Sequence, residues 1–508
     1  MQRHLDHRST ESFTRNADTA RTRNETPIGA LRIDRNRTRI AAQHTLPTNS
    51  FIVPKYPATM TDETPAVLPT STALLTDHYE LTMLDAALKD GTAHRDCVFE
   101  LFARKLPNDR RYGIVAGQGR AMELLQHFQF KDEELEFLRQ QRIVSDQTVD
   151  WLANFKFSGS IRGYREGEAY FPHSPLMEVH ATFAEGVVLE TMLLSVLNYD
   201  SAVASAAARM VGAADGRPLA EMGSRRTGER SAIAAARAAY IAGFSATSNL
   251  EAGRSWGVPT MGTAAHSWTL LHDSEEQAFR SQVAALGANT TLLIDTYDVH
   301  QAINTAIEVA GTDLDGVRLD SGDLPVLVRE VREQLNDLGA TDTKITVTND
   351  LDEYAIAALA ATPVDSFGVG TSVVTGSGAV ASGMVYKLVA RKADDGQWVS
   401  VAKASPGKAS VGGAKFPVRR REHGVASAEL IAVGGEAVGD HDDRPLYVNY
   451  VTNGVVDERW LGAAGVTAAR EHCAQARAEL PRTAHRLGKG DPALISYFVH
   501  PDGALHRI

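Results

Sequence analysis

The 508-residue chain is short of several things, and each shortage excludes a class of protein. It has two cysteines, Cys97 and Cys473, too few for a disulfide framework or a cysteine-based zinc module, so a reducing, cytoplasmic setting is the default expectation. No apolar run reaches the roughly 18 residues of a membrane span, which argues against an integral membrane protein. Gly-Lys occurs only at Gly407-Lys408 and Gly488-Lys489, neither in a P-loop frame. A His-Glu-x-x-His pair and a dinucleotide-binding glycine fingerprint are also missing. Basic residues are outnumbered, 52 against 63, for a net charge of −11. Residues 1–59 run against this trend with ten Lys/Arg and five acids, which leaves 42 basic and 58 acidic residues elsewhere, a charge of −16. An acidic body disfavours nucleic acid as the main ligand.

The basic head shows no periodicity and no apolar h-region, so a secretory signal is not expected. It reads as a disordered extension, or as the product of a start codon set upstream of Met60. Order is expected from Leu74, where Asp77 and Glu80 are spaced as a capping box and Gly91 stops the helix. Strand-like runs follow at Cys97–Phe102 and Gly113–Ala116. A long alanine-rich helix spans Phe183 to Val211, with a break expected at Asn198-Tyr199-Asp200.

Seven short apolar or small-residue runs then recur, each ending in a polar cluster. They close in Glu221-Met222-Gly223-Ser224-Arg225-Arg226, Gly243–Asn249, Gly262-Thr263-Ala264-Ala265-His266-Ser267 and Leu292–Asp298, and then in Val317–Asp323, Ile345–Asp350 and Phe367-Gly368-Val369-Gly370-Thr371-Ser372. Helical segments at Arg230–Ala242, Val299–Ala310, Pro325–Leu338 and Leu351–Ala361 separate most of them. Strand, polar loop and helix in repetition point to parallel βα units. Polar groups at nearly every strand end favour a barrel over an open doubly wound sheet.

Chemically, Gly370 and Thr371 offer unhindered N–H groups and a hydroxyl suited to a phosphate, or else a plain glycine turn. Arg318 and Asp320 alternate with Val317 and Leu319 and so share one face of a strand. They form either an internal ion pair or a site in which the arginine fork takes a carboxylate or phosphate. Asp295, Asp320 and Asp323 could hold ribose hydroxyls or hydrated Mg²⁺. His266 is either a hydrogen-bonded core histidine or a nucleophile or proton carrier. Arg225 adds positive charge suited to pyrophosphate. Together the clusters describe a mouth for a phosphorylated sugar and an anionic partner.

Five of these blocks, in order, resemble the nicotinate phosphoribosyltransferase family in its actinobacterial form. They are Leu75–Met83, Met222–Arg226, Gly262–Ser267, Leu319–Leu324 and Gly368–Ser372. The resemblance implies an irregular, roughly seven-stranded α/β barrel joined to a mixed α/β domain, with sites near the interface of a homodimer. On this basis residues 1–59 are an extension, 60–180 the mixed domain, 181–389 the catalytic barrel and 390–508 a C-terminal accessory region. The implied reaction joins nicotinate to 5-phosphoribosyl 1-pyrophosphate, giving nicotinate mononucleotide and pyrophosphate with Mg²⁺ and coupled ATP hydrolysis. By matching position, Tyr79 stacks on or borders the pyridine ring, of its own or the neighbouring subunit's site, and Thr263 contacts nicotinate. Arg318 pairs with its carboxylate, and His266 is the histidine that ATP phosphorylates. Gly370 and Thr371 hold the sugar phosphate, while Arg225, Asp295 and Asp320 serve pyrophosphate, Mg²⁺ and ribose. Ala246 stands where the related nicotinamide enzyme has an aspartate, which favours an acid over an amide. Thr348-Asn349-Asp350 departs from the family's commoner small or Ser-Gly pattern. A nicotinamide or quinolinate transferase is the nearest alternative, and a sugar-phosphate lyase or a non-catalytic sensor is further off.

Overall fold

A computed structural model of the chain describes residues 71–403, 410–435, 439–440, 442–500 and 503–507. The extension expected at 1–59, Met60 and Lys408 lie outside these residues. The description below concerns the compact unit Ala66–Ile508.

Six of the seven runs with polar ends become parallel strands: β1 (Leu219–Glu221), β2 (Ala246–Thr247), β3 (Thr291–Leu293), β4 (Gly316–Leu319), β5 (Lys344–Val347) and β6 (Ser366–Val369). They lie in the order β2-β1-β6-β5-β4-β3. Helices fill the connections, and their ends follow from local chemistry. The Asp298 carboxylate accepts from Gln301 N at 2.8 Å to start Val299–Ala310, as N-cap acids do. Asp352 does the same for Glu353–Leu359. Gly311, at φ +79°, ends the first of these two helices in a backbone conformation that only glycine adopts freely.

The seventh run does not form a strand. Only an isolated parallel bridge, Thr247 to Thr260, represents it, and no ladder joins that bridge to β3. The expected seven-stranded closure is therefore seen as six strands and one bridge. Gly262, Thr263, Ala264 and Ala265 have little apolar surface to bury, and a Cβ on Gly262 would meet nothing within 4 Å. Burial, which drives strand formation elsewhere in the sheet, is missing here.

The alanine-rich stretch folds as Phe183–Val187 followed by an unbroken helix α1 (Glu190–Ala213). The expected break at Asn198–Asp200 is absent because the polar side chains find partners. Asp200 is fully buried and pairs with Arg120 at 2.7 and 2.9 Å, and Asn198 accepts from Met384 N at 2.9 Å. The segment Phe183–Ala213 is long and apolar enough to cross a bilayer, but two-thirds of it is buried inside the protein. Its first half (Met192, Leu193, Val196, Leu197) belongs to one hydrophobic core and its second half (Val203, Ala204, Ala207, Ala208, Met210) to another. Small side chains on α1 and on α2 (Glu229–Ala242) let the two helices pack closely around the second core. Arg237 of α2, fully buried, makes a bidentate pair with Glu166 at 2.6 and 2.8 Å. That pair fixes the parallel sheet's outer layer to the loop before Ala169–Tyr170.

The capping box expected at Asp77 and Glu80 does not form. Asp77 caps no N–H with its side chain, and Glu80 is buried, accepting from Thr191 N at 2.9 Å.

A seven-stranded antiparallel sheet draws on distant parts of the chain. Asp96–Ala103 is paired on one side with Pro175–Thr182 and on the other with Met384–Lys392, and Ser160–Tyr164 carries Tyr447–Thr452 on its outer edge. The boundary expected at 389–390 thus falls inside a strand. A five-stranded sheet built from Lys415–Glu422, Val425–Val433, Arg444–Pro445, Ile495–Val499 and Leu505–Arg507 completes the C-terminal region. The helix Gly462–Ala478 packs that region against α2, where Arg470 donates to Phe244 O at 2.6 Å.

Candidate active site

The carboxyl ends of neighbouring strands bring most of the sequence-predicted groups together. Val317 and Leu319 are fully buried, so Arg318 and Asp320 turn to the opposite face, as their alternation predicts. The Arg318 guanidinium donates through Nη1 to the Thr263 hydroxyl, which ties the strandless loop 262–265 to β4. Its Nε is buried without a partner. Burial pulls this guanidinium below its usual range, and the Asp320 and Asp295 carboxylates oppose that pull. Arg225, exposed on the loop after β1, lies close enough to act electrostatically on Arg318.

His266 opens a six-residue helix, His266–Leu271. Its Nδ1 is 3.2 Å from the Thr296 hydroxyl, and its Nε2 is 3.8 Å from Asp295 Oδ1 and 3.9 Å from Asp320 Oδ2. The His266 side chain is about 37% exposed, so the core-histidine reading does not apply. Asp295 accepts from Asp320 N at 2.8 Å and from Ser321 Oγ at 2.7 Å through Oδ2. Its Oδ1 is buried with no hydrogen-bond partner. Asp320 in turn accepts from the Thr348 hydroxyl.

The loops after β1 and β6 meet at glycine. A Cβ on Gly223 would lie 2.2 Å from Val374 Cγ1 and 2.8 Å from Gly370 O, so only glycine lets the Arg225 loop press against Gly370-Thr371. Gly370 (φ −107°, ψ −100°) leads into the short helix Thr371–Val374. Beneath them Glu221 is fully buried. It accepts from Gly223 N and Thr247 Oγ1, both at 2.5 Å, and burial raises its carboxyl above the usual range.

Tyr79 is not part of this group. It sits about half exposed on the helix His78–Asp90, and partial burial together with the nearby Glu190 and Glu80 carboxylates raises its phenol. Thr296, Ser321 and Thr348 act as second partners that sequence reading did not assign, since isolated hydroxyls give no signal. Glu275 was likewise unassigned, because acids after Ser274 read as an ordinary helix start. Burial and the Asp298 and Asp295 carboxylates push Glu275 up to about 7.

Asn349, in the position where the sequence departs from its relatives' pattern, has φ +105°. That conformation suits glycine, and asparagine is among the few residues that come near it. Asn349→Ala is expected to be about 1–2 kcal/mol less stable than Asn349→Gly, read from chemical denaturation midpoints. Equal midpoints would remove the strain argument.

Comparison with known proteins bears on what this arrangement does. Residues 74–198 match the nicotinate phosphoribosyltransferase (NAPRTase) N-terminal domain model. The chain is 52% identical over 431 residues to the nicotinate phosphoribosyltransferase pncB1 of Mycobacterium tuberculosis, covering 83% of this chain and 94% of the relative. It is 36% identical over 403 residues to the Bacillus subtilis nicotinate phosphoribosyltransferase, covering 75% and 82%. Among solved structures, human nicotinic acid phosphoribosyltransferase shares the fold at a TM-score of 0.70 and 24% identity, covering 83% of this chain and 97% of that one. With relatives this similar over this much of its length, the chain belongs to the nicotinate phosphoribosyltransferase family.

Proposed function

We propose that the cluster of Arg318, His266, Asp295 and Asp320 carries out the family's reaction: transfer of phosphoribose from 5-phosphoribosyl 1-pyrophosphate to nicotinate, an entry to NAD salvage, coupled here to ATP. The observation that carries this reading is the convergence of Arg318, Asp295 and Asp320 at the ends of β3 and β4 with His266, whose Nε2 lies within 4 Å of both carboxylates. Six strands and the Thr260 bridge also support a barrel with seven strand positions.

Breaking the anomeric C–O bond develops oxocarbenium character on the sugar and negative charge on the departing pyrophosphate. Arg225 is placed to stabilise that charge. Gly370 and Thr371 hold the sugar phosphate at the opposite loop. Arg318, with a buried unpartnered Nε, has spare donor capacity for the nicotinate carboxylate, and Thr263 orients both. Together these contacts present the pyridine nitrogen to the anomeric carbon. Ala246 at the end of β2 places no acid against that carboxylate, which favours nicotinate over nicotinamide.

Mg²⁺ fits the residues present. Asp295 Oδ1 is a buried oxygen without a partner, and Asp320 is half-exposed beside it. Mg²⁺ commonly takes one or two carboxylates and fills its shell with phosphate and water, and Asp295 and Asp320 would supply those carboxylates. When bound it would supply positive charge to the pyrophosphate.

The Thr296 hydroxyl, 3.2 Å from Nδ1, can accept from an Nδ1–H, and in that tautomer His266 Nε2 carries the lone pair. In the proposed coupling Nε2 takes the terminal phosphoryl of ATP, ADP leaves, and later hydrolysis of the P–N bond resets the site. Tyr79 and Met83, exposed one turn apart on the helix His78–Asp90, with Leu75 exposed just before it, form an apolar patch that a second copy would cover in the proposed homodimer, which would bring Tyr79 to the partner's site.

The test is an assay of purified protein with nicotinate, the ribosyl pyrophosphate donor and Mg²⁺, with and without ATP. Nicotinate mononucleotide is expected in both and more with ATP, and its absence from both would defeat the reading. Base competition between nicotinate, nicotinamide and quinolinate separates the alternatives. Gly223→Ala is expected to raise the donor KM about tenfold with a smaller change in kcat, since overpacking of roughly 1–3 kcal/mol must be relieved by moving the two phosphate loops apart. An unchanged donor KM would refute the part given to that glycine.

A further inference from the structure

A cleft of about 410 Å³ lies away from the His266 cluster. It lies beyond the far side of the Thr371–Val374 helix, walled by the 108–110 loop, the start of the helix Glu353–Leu359, and the C-terminal segment at Leu487 and Lys489. Its size falls within the range of small-ligand sites.

Its walls are specifically built. Arg209, 8% exposed, pairs with Glu353 at 2.9 Å and donates to Leu487 O at 2.8 Å. Arg110, 4% exposed, donates to Gly376 O at 2.6 Å. Three of the nine non-glycine residues with left-handed backbone among those described, Asn108, Asp109 and Ser377, line this one cleft. Backbone strain held in this way collects at ligand clamps and active sites.

Setting aside the groups already engaged shows what is left for a ligand. Arg209 and Ser377 are bound to Glu353, Arg110 to backbone carbonyls, and the Asp352 carboxylate to the N–H groups of Tyr354 and Ala355. The Lys489 ammonium, the Ser372 hydroxyl and the Asn108 amide remain as donors, and the Asp109 carboxylate remains as an acceptor. The Tyr354 ring, about half exposed, stands over Arg209 at 5.9 Å. A cation with two neutral donors suits a phosphate, a lone carboxylate suits ribose hydroxyls, and an exposed aromatic face suits a base.

We propose that this cleft is a second, non-catalytic site that takes a purine 5′-mononucleotide, whose two-ring base covers the exposed Tyr354 face as the single pyridine ring of nicotinate mononucleotide does not. Its phosphate rests on Lys489, Ser372 and Asn108, its ribose on Asp109 and its base against Tyr354. Because Thr371 and Ser372 also form this wall, an occupant is placed to act on the affinity for the phosphoribosyl donor.

AMP serves as the probe, titrated calorimetrically into the full chain with and without saturating nicotinate mononucleotide to fill the strand-end site. AMP is expected to bind in both conditions, and Lys489→Ala and Lys489→Glu are expected to weaken it at least tenfold in both. Turnover of the two variants without AMP is expected to stay within twofold of the parent. Displacement of AMP by nicotinate mononucleotide in a one-to-one competition, or variants that bind AMP like the parent, would overturn the second site. A loss of basal turnover in both variants would place Lys489 in the catalytic site and would equally overturn it. The titrations read binding alone, so their outcome stands apart from whether the strand-end cluster performs its proposed chemistry.

Discussion

Arg318→Ala is expected to lower kcat/KM for nicotinate by about 10²–10³-fold while leaving the protein folded. The size follows from what the side chain holds. Truncating one partner of a buried, hydrogen-bonded charge pair costs about 2–5 kcal/mol, and Arg318 holds the Thr263 hydroxyl and, in the proposed reaction, the nicotinate carboxylate. Folding should survive because Arg318 serves the mouth, whereas Val317 and Leu319 serve the core. Removal of the guanidinium also leaves Asp295 and Asp320 without the nearby cation that offsets their charge, so the loss should fall on nicotinate binding and on the rate together. Arg318→Lys should recover only part, since an ammonium cannot make the planar two-point contact that a guanidinium makes with a carboxylate. Steady-state kinetics with nicotinate and nicotinamide decide the matter: a drop for nicotinate of less than about threefold would mean that its carboxylate is held elsewhere.

His266→Ala is expected to abolish the stimulation by ATP entirely, while slow transfer without ATP persists at the parent's unstimulated rate. In the proposed mechanism Arg318, Thr263, Gly370 and Thr371 bind and orient the substrates, and none of them depends on the imidazole. In the proposed coupling the imidazole supplies Nε2 as nucleophile, set within 4 Å of two carboxylates, while Nδ1, 3.2 Å from the Thr296 hydroxyl, holds the ring. Without that nitrogen no phosphoryl group can be parked beside the transferring sugar, so ADP release should stop and acid-labile phosphate should no longer label the protein. Full ATP stimulation in the variant would rule out the covalent role. Thr296→Val, which frees the ring to rotate but leaves its nitrogens intact, should retain a reduced stimulation.

The sequence made the parallel sheet legible because each βα unit is local. Its strand, polar end and following helix lie within some thirty residues, and burial of the alternate face fixes which side chains reach the mouth. Arg318 and Asp320 are the clearest case. The run ending at His266 misled because polar punctuation alone does not make a strand when Gly262 to Ala265 have nothing to bury. Asp77 and Glu80 misled for a related reason: the capping spacing was right, but tertiary burial claimed Glu80 for Thr191. Asn198–Asp200 read as a break until Arg120, far away in the chain, was there to pair with Asp200. The buried Glu221 and the half-buried Glu275 were illegible, since nothing in a neighbouring run of residues announces a carboxylate's burial. The antiparallel sheet was the least accessible feature, because its partners are separated by hundreds of residues.

That separation has a consequence for how the protein is made. Asp96–Ala103 leaves the ribosome long before Met384–Lys392, its neighbour in the finished sheet. At about 5–20 residues per second the wait is roughly 15–55 s, and Tyr447–Thr452 arrives later still. Throughout that interval the nascent sheet presents an open edge with unpaired N–H and C=O groups, the form most prone to pairing with another chain. Yield in a recombinant host should therefore depend on trigger-type holding chaperones and on slow, cool expression far more than on the stability of the finished molecule.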